Sequence, residues 1–217
     1  MAQQRTSTEP CGTGARDLFA NPAGMAARSM ATELKRQAPV KTAISRLCGI
    51  KTPERAFRIG ADGEEMVGRE LGRLCPRWAV LHAVPVGERG SDIDHVVIGP
   101  GGVFTLNTKH HPGKRVWVSL RVVMVNGAKT VYLRNSRYEA KRTSRLLSHA
   151  AQFEVTVRPL IVIVGGNLTV KSQPDDVTVV GRRRVAEWLK NQPEQYTEEG
   201  IRELFGHARL STTWLDG

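Results

Sequence analysis

The stretch SDIDHVVIGPGGVFTLNTKHH, residues 91–111, carries polar side chains at the outer ends of two β-branched runs. Asp92 and Asp94 stand at the start of the first run, and Asn107 and Lys109 stand at the end of the second. Oxygen ligands suit Mg²⁺, and a bound cation beside a lysine is suited to the hydrolysis of phosphodiesters. The residue types therefore favour metal-assisted hydrolysis, although an ion pair between Asp92 and Lys109 on a solvated sheet face would use the same residues.

The segment GPGG at residues 99–102 predicts a hairpin loop of about four residues between the two runs. Counting back from this loop places Asp94 opposite Asn107 and Asp92 opposite Lys109. All four side chains then project from one face, with opposed Cβ atoms about 5 Å apart. The opposite face would be the core side of the sheet. A register shift of one residue would move some of these side chains to the opposite face of the sheet, so the structure can contradict this prediction.

A helix at GADGEEMVGREL adds another acid. Asp62 is suited to cap this helix, and Glu64 falls on the same helical stripe as Val67 and Leu71. A carboxylate at the edge of a buried stripe needs a partner or a metal ion. Alternatively, Glu64 only stabilises the N-terminus of its own helix through its negative charge.

Three histidines lie near this cluster in the sequence. His95 stands beside apolar strand residues and is predicted to be a hydrogen-bonded core residue. His110 and His111 follow the lysine and are suited to contact phosphate, or they are solvated loop residues. A zinc site formed by the three lacks the usual spacing and any cysteine partner.

The surrounding pattern predicts one α/β domain with a mixed central sheet flanked by helices. Residues 56–217 read as helix, several strands including hairpins, a basic helix, the continuous apolar strand RPLIVIVGG, another strand and two final helices. Residues 1–55 are rich in small, polar and basic residues, and are predicted to form a flexible basic arm with one short helix that ends at Pro39.

The composition limits the function classes. The chain has 217 residues and a formal net charge of +11, which makes polyanions its natural partners. It has no apolar run of about 20 residues and no secretory signal, which predicts a cytoplasmic protein. Three separated cysteines indicate neither a disulfide framework nor a zinc knuckle. A membrane-surface protein that uses the basic arm is an alternative, but it lacks an amphipathic anchor.

The motifs GADGEEMVGREL and DIDHVVIGPGGVFTLNTKHH resemble the nuclease-related domain (NERD) family, within the PD-(D/E)xK nuclease superfamily, and the resemblance covers about residues 59–164. It implies a restriction-endonuclease-like core with Glu64 on the first helix, Asp94 on the second strand and Lys109 on the third. Asp92 stands where the family usually has a polar or acidic residue. The third strand of the family commonly reads E-x-K, whereas this chain has Asn107.

The resemblance implies a nuclease that hydrolyses DNA with Mg²⁺ or Mn²⁺, in DNA processing or repair. Its metal ligands would be Glu64, Asp94, Asn107 and the Thr108 carbonyl, with Lys109 near the attacking water. Asparagine offers a ligand oxygen but removes one negative charge, and charge count tunes affinity for hard cations. A catalytically weakened or inactive DNA-binding module on the same fold is therefore the alternative. The form of the DNA and the oligomeric state stay open.

The helix RNSRYEAKRTSRLL places Arg137, Lys141 and Arg145 at successive i+4 positions. Such a basic ridge is suited to track a phosphate backbone, although many ridges of this kind are simply solvated helix faces. A second basic patch stands at Arg182–Arg184.

Overall fold

A computed structural model describes residues 14–39, 42–43, 52–74, 76–87 and 91–215. The helices are α1 (Met25–Gln37), α2 (Pro53–Leu71), α3 (Tyr132–Ala151), α4 (Val185–Lys190) and α5 (Glu198–Ala208). The strands are β1 (Ala79–Val86), β2 (Ser91–Gly99), β3 (Gly102–His110), β4 (Arg115–Ser119), β5 (Val122–Val125), β6 (Ala128–Lys129), β7 (Val157–Val164), β8 (Asn167–Val170) and β9 (Thr178–Gly181). Short 3₁₀ turns follow at Arg182–Arg184 and Ser211–Trp214.

The central sheet has five strands in the order β1-β2-β3-β7-β9. Strands β1, β2 and β3 pair antiparallel, whereas β7 and β9 run parallel to β3. The apolar strand RPLIVIVGG forms β7 at an inner position, as its continuous hydrophobicity predicts. The sequence prediction of an α/β core with a mixed sheet flanked by helices is confirmed.

A second sheet of four short strands follows β3, in the order β6-β5-β4-β8. A turn at Asn126-Gly127 joins β5 to β6, with φ angles of 50° and 85°. Asparagine and glycine tolerate these positive values better than other residues, which explains the turn at this position.

Helix α2 begins nine residues before the cap that the sequence predicts at Asp62. Its first helical residue is Pro53, and the Thr52 hydroxyl accepts a hydrogen bond from the Arg55 amide at 3.2 Å. Threonine at the cap with proline directly after it is a strong start signal. Asp62 lies inside the helix, so the predicted start is wrong.

The central sheet is covered on both faces. One face packs against α2, through Val67, Val97, Phe104 and Leu106, among others. The other face packs against α3 and α5, through Val96, Ile98, Val103, Leu147 and Leu204. The prediction that one face is the core and the opposite face carries the acids is therefore wrong, because α3 covers the second face and the acids stand near the strand ends.

Part of the predicted N-terminal arm packs on the domain. Leu18 has no exposed surface, and Asp17 forms a β-bridge with Leu210. Arg28 on α1 forms ion pairs with Asp62 and Glu65 on α2. In the described part of the arm, Leu18 therefore packs against residues of α5 and the final turn, and α1 packs against α2. Residues 1–13 of the arm lie outside the described residues.

In the part of the chain that the structure describes, no helix is both long enough and apolar enough to cross a bilayer.

Candidate functional site

Strands β2 and β3 have the register that the loop length predicts. Ile98 pairs with Val103, and the ladder continues to His95 and Leu106. Beyond that last pair, the Thr108 amide donates a hydrogen bond to the Asp94 carboxylate at 2.6 Å. Asp94 therefore takes a backbone donor at the end of the ladder, which fixes this carboxylate beside the residues that follow Leu106.

Glu64 reaches the site from helix α2. Its side chain is 8% exposed, and its Oε2 atom is buried without a hydrogen-bond partner. The preceding residue, Gly63, lies so close to β3 that a Cβ atom there would be 2.7 Å from the Cβ atom of His110. A side chain at position 63 would push helix and strand apart, so this glycine sets how closely Glu64 approaches the strand.

Lys109 projects beside the start of helix α3. Its Nζ lies 5.2 Å from the centroid of the Tyr132 ring. The Tyr132 hydroxyl is 3.0 Å from Nε2 of His111, and the two rings are stacked. Tyr132 thus positions both basic side chains through one ring, by a cation–π contact and a hydrogen bond.

Glu139 on α3 joins the cluster, and sequence reasoning missed it. Its Oε2 accepts a hydrogen bond of 3.1 Å from the Asn107 side-chain amide. Oε1 of Glu139 and Oδ1 of Asn107 are both buried and have no hydrogen-bond partner. One signal was available: Glu139 is the single acid within the basic segment RNSRYEAKRTSRLL.

The carboxylates perturb one another. Burial, followed by the charges of Asp94 and Asp92, raises the pKa of Glu64 to about 8. Burial and the charge of Asp94 raise the pKa of Glu139 to about 8. Burial also raises the pKa of Asp94 to about 6, against the opposing effects of Lys109 and the Thr108 amide. The charge of Asp94 therefore acts on both glutamates.

A cavity of about 380 Å³ opens over part of this cluster. Acidic and amide side chains line it together with basic and aromatic residues of α3: Asp92, Asn107, Glu139, Arg134, Tyr138 and Arg142. Tyr138 is the most exposed of the large hydrophobic side chains of the described residues, at 68%. Burial raises the pKa of Asp92.

The predicted basic ridge lies on a neighbouring face of α3 and does not line this cavity. Arg137 forms a two-point ion pair with Asp176, with N–O distances of 2.6 and 2.8 Å. Lys141 and Arg145 are exposed. Arg134 and Arg142 line the cavity instead, because they share the helical spacing of Tyr138.

The histidines take separate places. His95 is fully buried, with its Nδ1 2.8 Å from Nδ1 of His82, as a core residue would be. Burial and the neighbouring His82 hold the pKa of His95 well below its usual range. Nδ1 of His110 lies 2.7 Å from the Ile59 carbonyl oxygen, and His111 contacts Tyr132.

The basic patch at Arg182–Arg184 lines a different and larger open cleft, of about 1140 Å³. The residues that line this cleft include Gly165, Gly166 and Trp188 but none of the clustered acids. Arg182 forms an ion pair with the buried Glu70 at 3.2 Å. Of the clustered residues, Asp92, Asn107 and Glu139 line the smaller cavity, whereas Glu64, Asp94 and Lys109 line neither cavity.

Across the described ranges, no three His, Cys, Asp or Glu side chains are arranged to hold a metal ion by themselves. A cation at the cluster would need mixed ligands, including the Asn107 amide oxygen and water. This suits Mg²⁺, which commonly keeps several waters and binds one or two protein carboxylates.

Comparison with known proteins agrees with this geometry. Residues 59–164 match the family model of the nuclease-related domain. A segment of 58 residues is 43% identical to an uncharacterized protein of Bacillus anthracis, over 25% of this chain and 27% of that relative. The chain thus spans about a quarter of the length of that relative. No solved structure matches the chain.

Proposed function

The chain belongs to the nuclease-related domain family through residues 59–164, and from this premise we propose that it is a divalent-metal-dependent nuclease that hydrolyses DNA phosphodiesters. The family supports a nuclease-related function that involves nucleic acid and a divalent metal ion. The proposal adds DNA as the substrate, Mg²⁺ or Mn²⁺ as the ion, and DNA processing or repair in the cytoplasm as the setting.

One observation carries the proposal: three acceptor oxygens from three separate elements are buried at the cluster without a donor. They are Oε2 of Glu64, Oδ1 of Asn107 and Oε1 of Glu139. An unpartnered buried polar atom is costly, and the usual remedy is a hydrogen bond or a cation. All three oxygens lack a hydrogen-bond donor, and a cation could interact with them in its place. These residues therefore fit a divalent metal ion.

We assign Glu64, Asp94 and Asn107 as side-chain ligands, with the Thr108 carbonyl as a further candidate and Asp92 at the margin. A bound divalent cation supplies Lewis-acid stabilisation of the charge that develops on a phosphodiester during hydrolysis. The charge of Lys109 lowers the pKa of Asp94, against the effect of burial. We assign Lys109 to orient the attacking water or to offset developing negative charge.

Residues at the rim of the cavity are suited to bind nucleic acid. Arg134 and Arg142 carry positive charge at the edge of the cavity, and Tyr138 exposes its ring between them. Arginines position a phosphate backbone, while an exposed aromatic ring offers a surface on which a base can stack. The predicted contacts from Arg137, Lys141, Arg145, His110 and His111 would then lie outside the cavity.

A DNA-binding module without catalytic activity is the second candidate, and Asn107 is the observation that favours it. The amide contributes no negative charge where the family commonly has glutamate. Such a protein would retain the basic rim and bind DNA, but it would not cleave DNA with any metal ion.

The test is to incubate the purified chain with supercoiled and linear DNA in Mg²⁺, in Mn²⁺ and in EDTA. We expect metal-dependent cleavage that Lys109→Ala lowers by about 100-fold or more, while DNA binding in EDTA is retained. Lys129→Ala removes an equal charge from exposed strand β6 and should cleave like the parent. Binding without cleavage in every metal would support the second candidate, and the absence of both would contradict both.

A further inference from the structure

Resting on the metal-dependent function proposed above, we propose that Glu139 of helix α3 is a ligand of the cation and supplies the negative charge that Asn107 lacks. Glu139 is 32 residues from Asn107 in the sequence, and its carboxylate accepts a hydrogen bond directly from the Asn107 side chain. The anionic ligand would thus be displaced from strand β3 to the helix that covers it.

The position of Glu139 on α3 supports this role. The helix packs through buried residues that include Ser136, Ala140 and Thr143, and Glu139 lies among them in the sequence. Its Oε1 atom is buried and has no hydrogen-bond partner. A buried carboxylate oxygen without a donor carries a large desolvation cost, which a cation at this place would offset.

The Asn107–Glu139 hydrogen bond fixes the direction of both side chains. The amide nitrogen of Asn107 faces Oε2 of Glu139 at 3.1 Å. With Glu139 ionised, as an anionic metal ligand must be, the reverse orientation would place the amide oxygen against a carboxylate oxygen, two acceptors in contact, so it is disfavoured. Oδ1 of Asn107 therefore points away from that hydrogen bond. Neither this atom nor Oε1 of Glu139 has a hydrogen-bond donor.

The charges also agree with a relocated ligand. Asn107 contributes no negative charge, and Glu139 would add a carboxylate directly beside its amide. Affinity of oxygen sites for hard cations rises with the number of charged ligands. The charges of Asp94, Asp92 and Lys109 all affect the pKa of Glu139, as expected for a member of the cluster.

Titration of the metal-free 217-residue chain with Mn²⁺ in a calorimeter tests this inference without reference to cleavage. We expect Glu139→Gln to weaken Mn²⁺ binding by about 10-fold to 100-fold, because glutamine keeps the shape of the side chain and loses only the charge. Glu154→Gln removes the same charge from an exposed position beyond the end of α3 and should bind Mn²⁺ like the parent. Thermal unfolding of each variant establishes that it is folded.

The double variant Asn107→Glu with Glu139→Gln moves the carboxylate back to strand β3 at constant total charge. We expect this exchange to restore much of the Mn²⁺ affinity that Glu139→Gln loses. Parent-like binding by Glu139→Gln would overturn the role of Glu139 and leave the metal-dependent function standing. Failure of the parent itself to bind Mn²⁺ would overturn both.

Discussion

The side-chain amide of Asn107 donates a hydrogen bond of 3.1 Å to Oε2 of Glu139, and this contact joins strand β3 to helix α3 inside the candidate site. Asn107 is neutral and stands at a position where the family commonly has an acid. Glu139 is an acid that comes from another element, helix α3. Since each partner leaves one further oxygen buried without a donor, the pair is arranged to share a third partner.

The first prediction concerns the stability of the metal-free protein as a function of pH. Burial raises the pKa of Glu64 and of Glu139 to about 8, from an ordinary value of 4.5. The folded state therefore binds protons more tightly than the unfolded state, and this contribution to stability is complete below pH 4.5 and is lost as the pH rises through 8. We expect the free energy of unfolding in EDTA to fall by a few kcal/mol across that window.

Thermal unfolding in EDTA between pH 4.5 and 9 measures this effect. The double variant Glu64→Gln with Glu139→Gln mimics the protonated carboxyls, so its stability should depend less on pH than that of the parent. Parallel curves for the two proteins would contradict the prediction.

The second prediction concerns protons released by metal binding. At pH 7 Glu64 and Glu139 are mainly protonated, since the pKa of each is about 8, and a carboxyl group must lose its proton to act as an anionic ligand. Mn²⁺ binding should therefore release about one to two protons at pH 7 and become tighter up to about pH 8. Calorimetry in two buffers of different ionisation enthalpy counts the protons. Equal apparent enthalpies in the two buffers would contradict this expectation.

The third prediction concerns Tyr138 at the rim of the cavity. Its ring is 68% exposed, and stacking of one base on an aromatic ring contributes about 1–3 kcal/mol. Tyr138→Ala should therefore weaken the binding of single-stranded DNA by about tenfold or more, as fluorescence anisotropy would measure. Phe153→Ala removes another exposed ring beyond the end of the same helix, away from the cavity lining, and should leave the affinity unchanged. Equal losses in the two variants would argue against a stacking surface at Tyr138.

Local patterns predicted the sheet and the pairing of its first strands. The loop length at residues 99–102 set the register, and the register brought Asp94 beside the segment that contains Asn107. Both signals lie within about twenty residues of sequence, where spacing rules apply directly. The meeting of β2 and β3 could therefore be worked out in advance.

Glu139 could not be worked out from the same rules. Its contact with Asn107 depends on how α3 crosses the sheet, which side-chain packing determines and local spacing does not. The start of α2 was missed for another reason: Gly60 and Gly63 look like breaks in a helix, although Thr52 and Pro53 begin it earlier. At position 63 the glycine is required by the approach to His110.

The fourth prediction concerns the boundary between the N-terminal arm and the domain. Leu18 is fully buried in the core beside α5 and the final turn. Leu18→Ala should lower the free energy of unfolding by about 2–5 kcal/mol, the usual cost of a cavity in a core. Met30→Ala on the exposed side of α1 should change it by less than about 0.5 kcal/mol. Urea denaturation measures both, and an effect of Leu18→Ala as small as that of Met30→Ala would place the boundary nearer residue 55.

The fifth prediction uses two glycines of helix α2. A Cβ atom at Gly63 would lie 2.7 Å from the Cβ atom of His110, whereas a Cβ atom at Gly60 would meet nothing within 4 Å. Gly60→Ala should raise the free energy of unfolding by about 0.5–1 kcal/mol, because alanine favours a helix over glycine. Gly63→Ala should lower it and also weaken Mn²⁺ binding, because the helix must move away from β3 and carries Glu64 with it. If the two variants show equal stability and equal Mn²⁺ affinity, then the close approach of α2 to His110 does not set the position of Glu64.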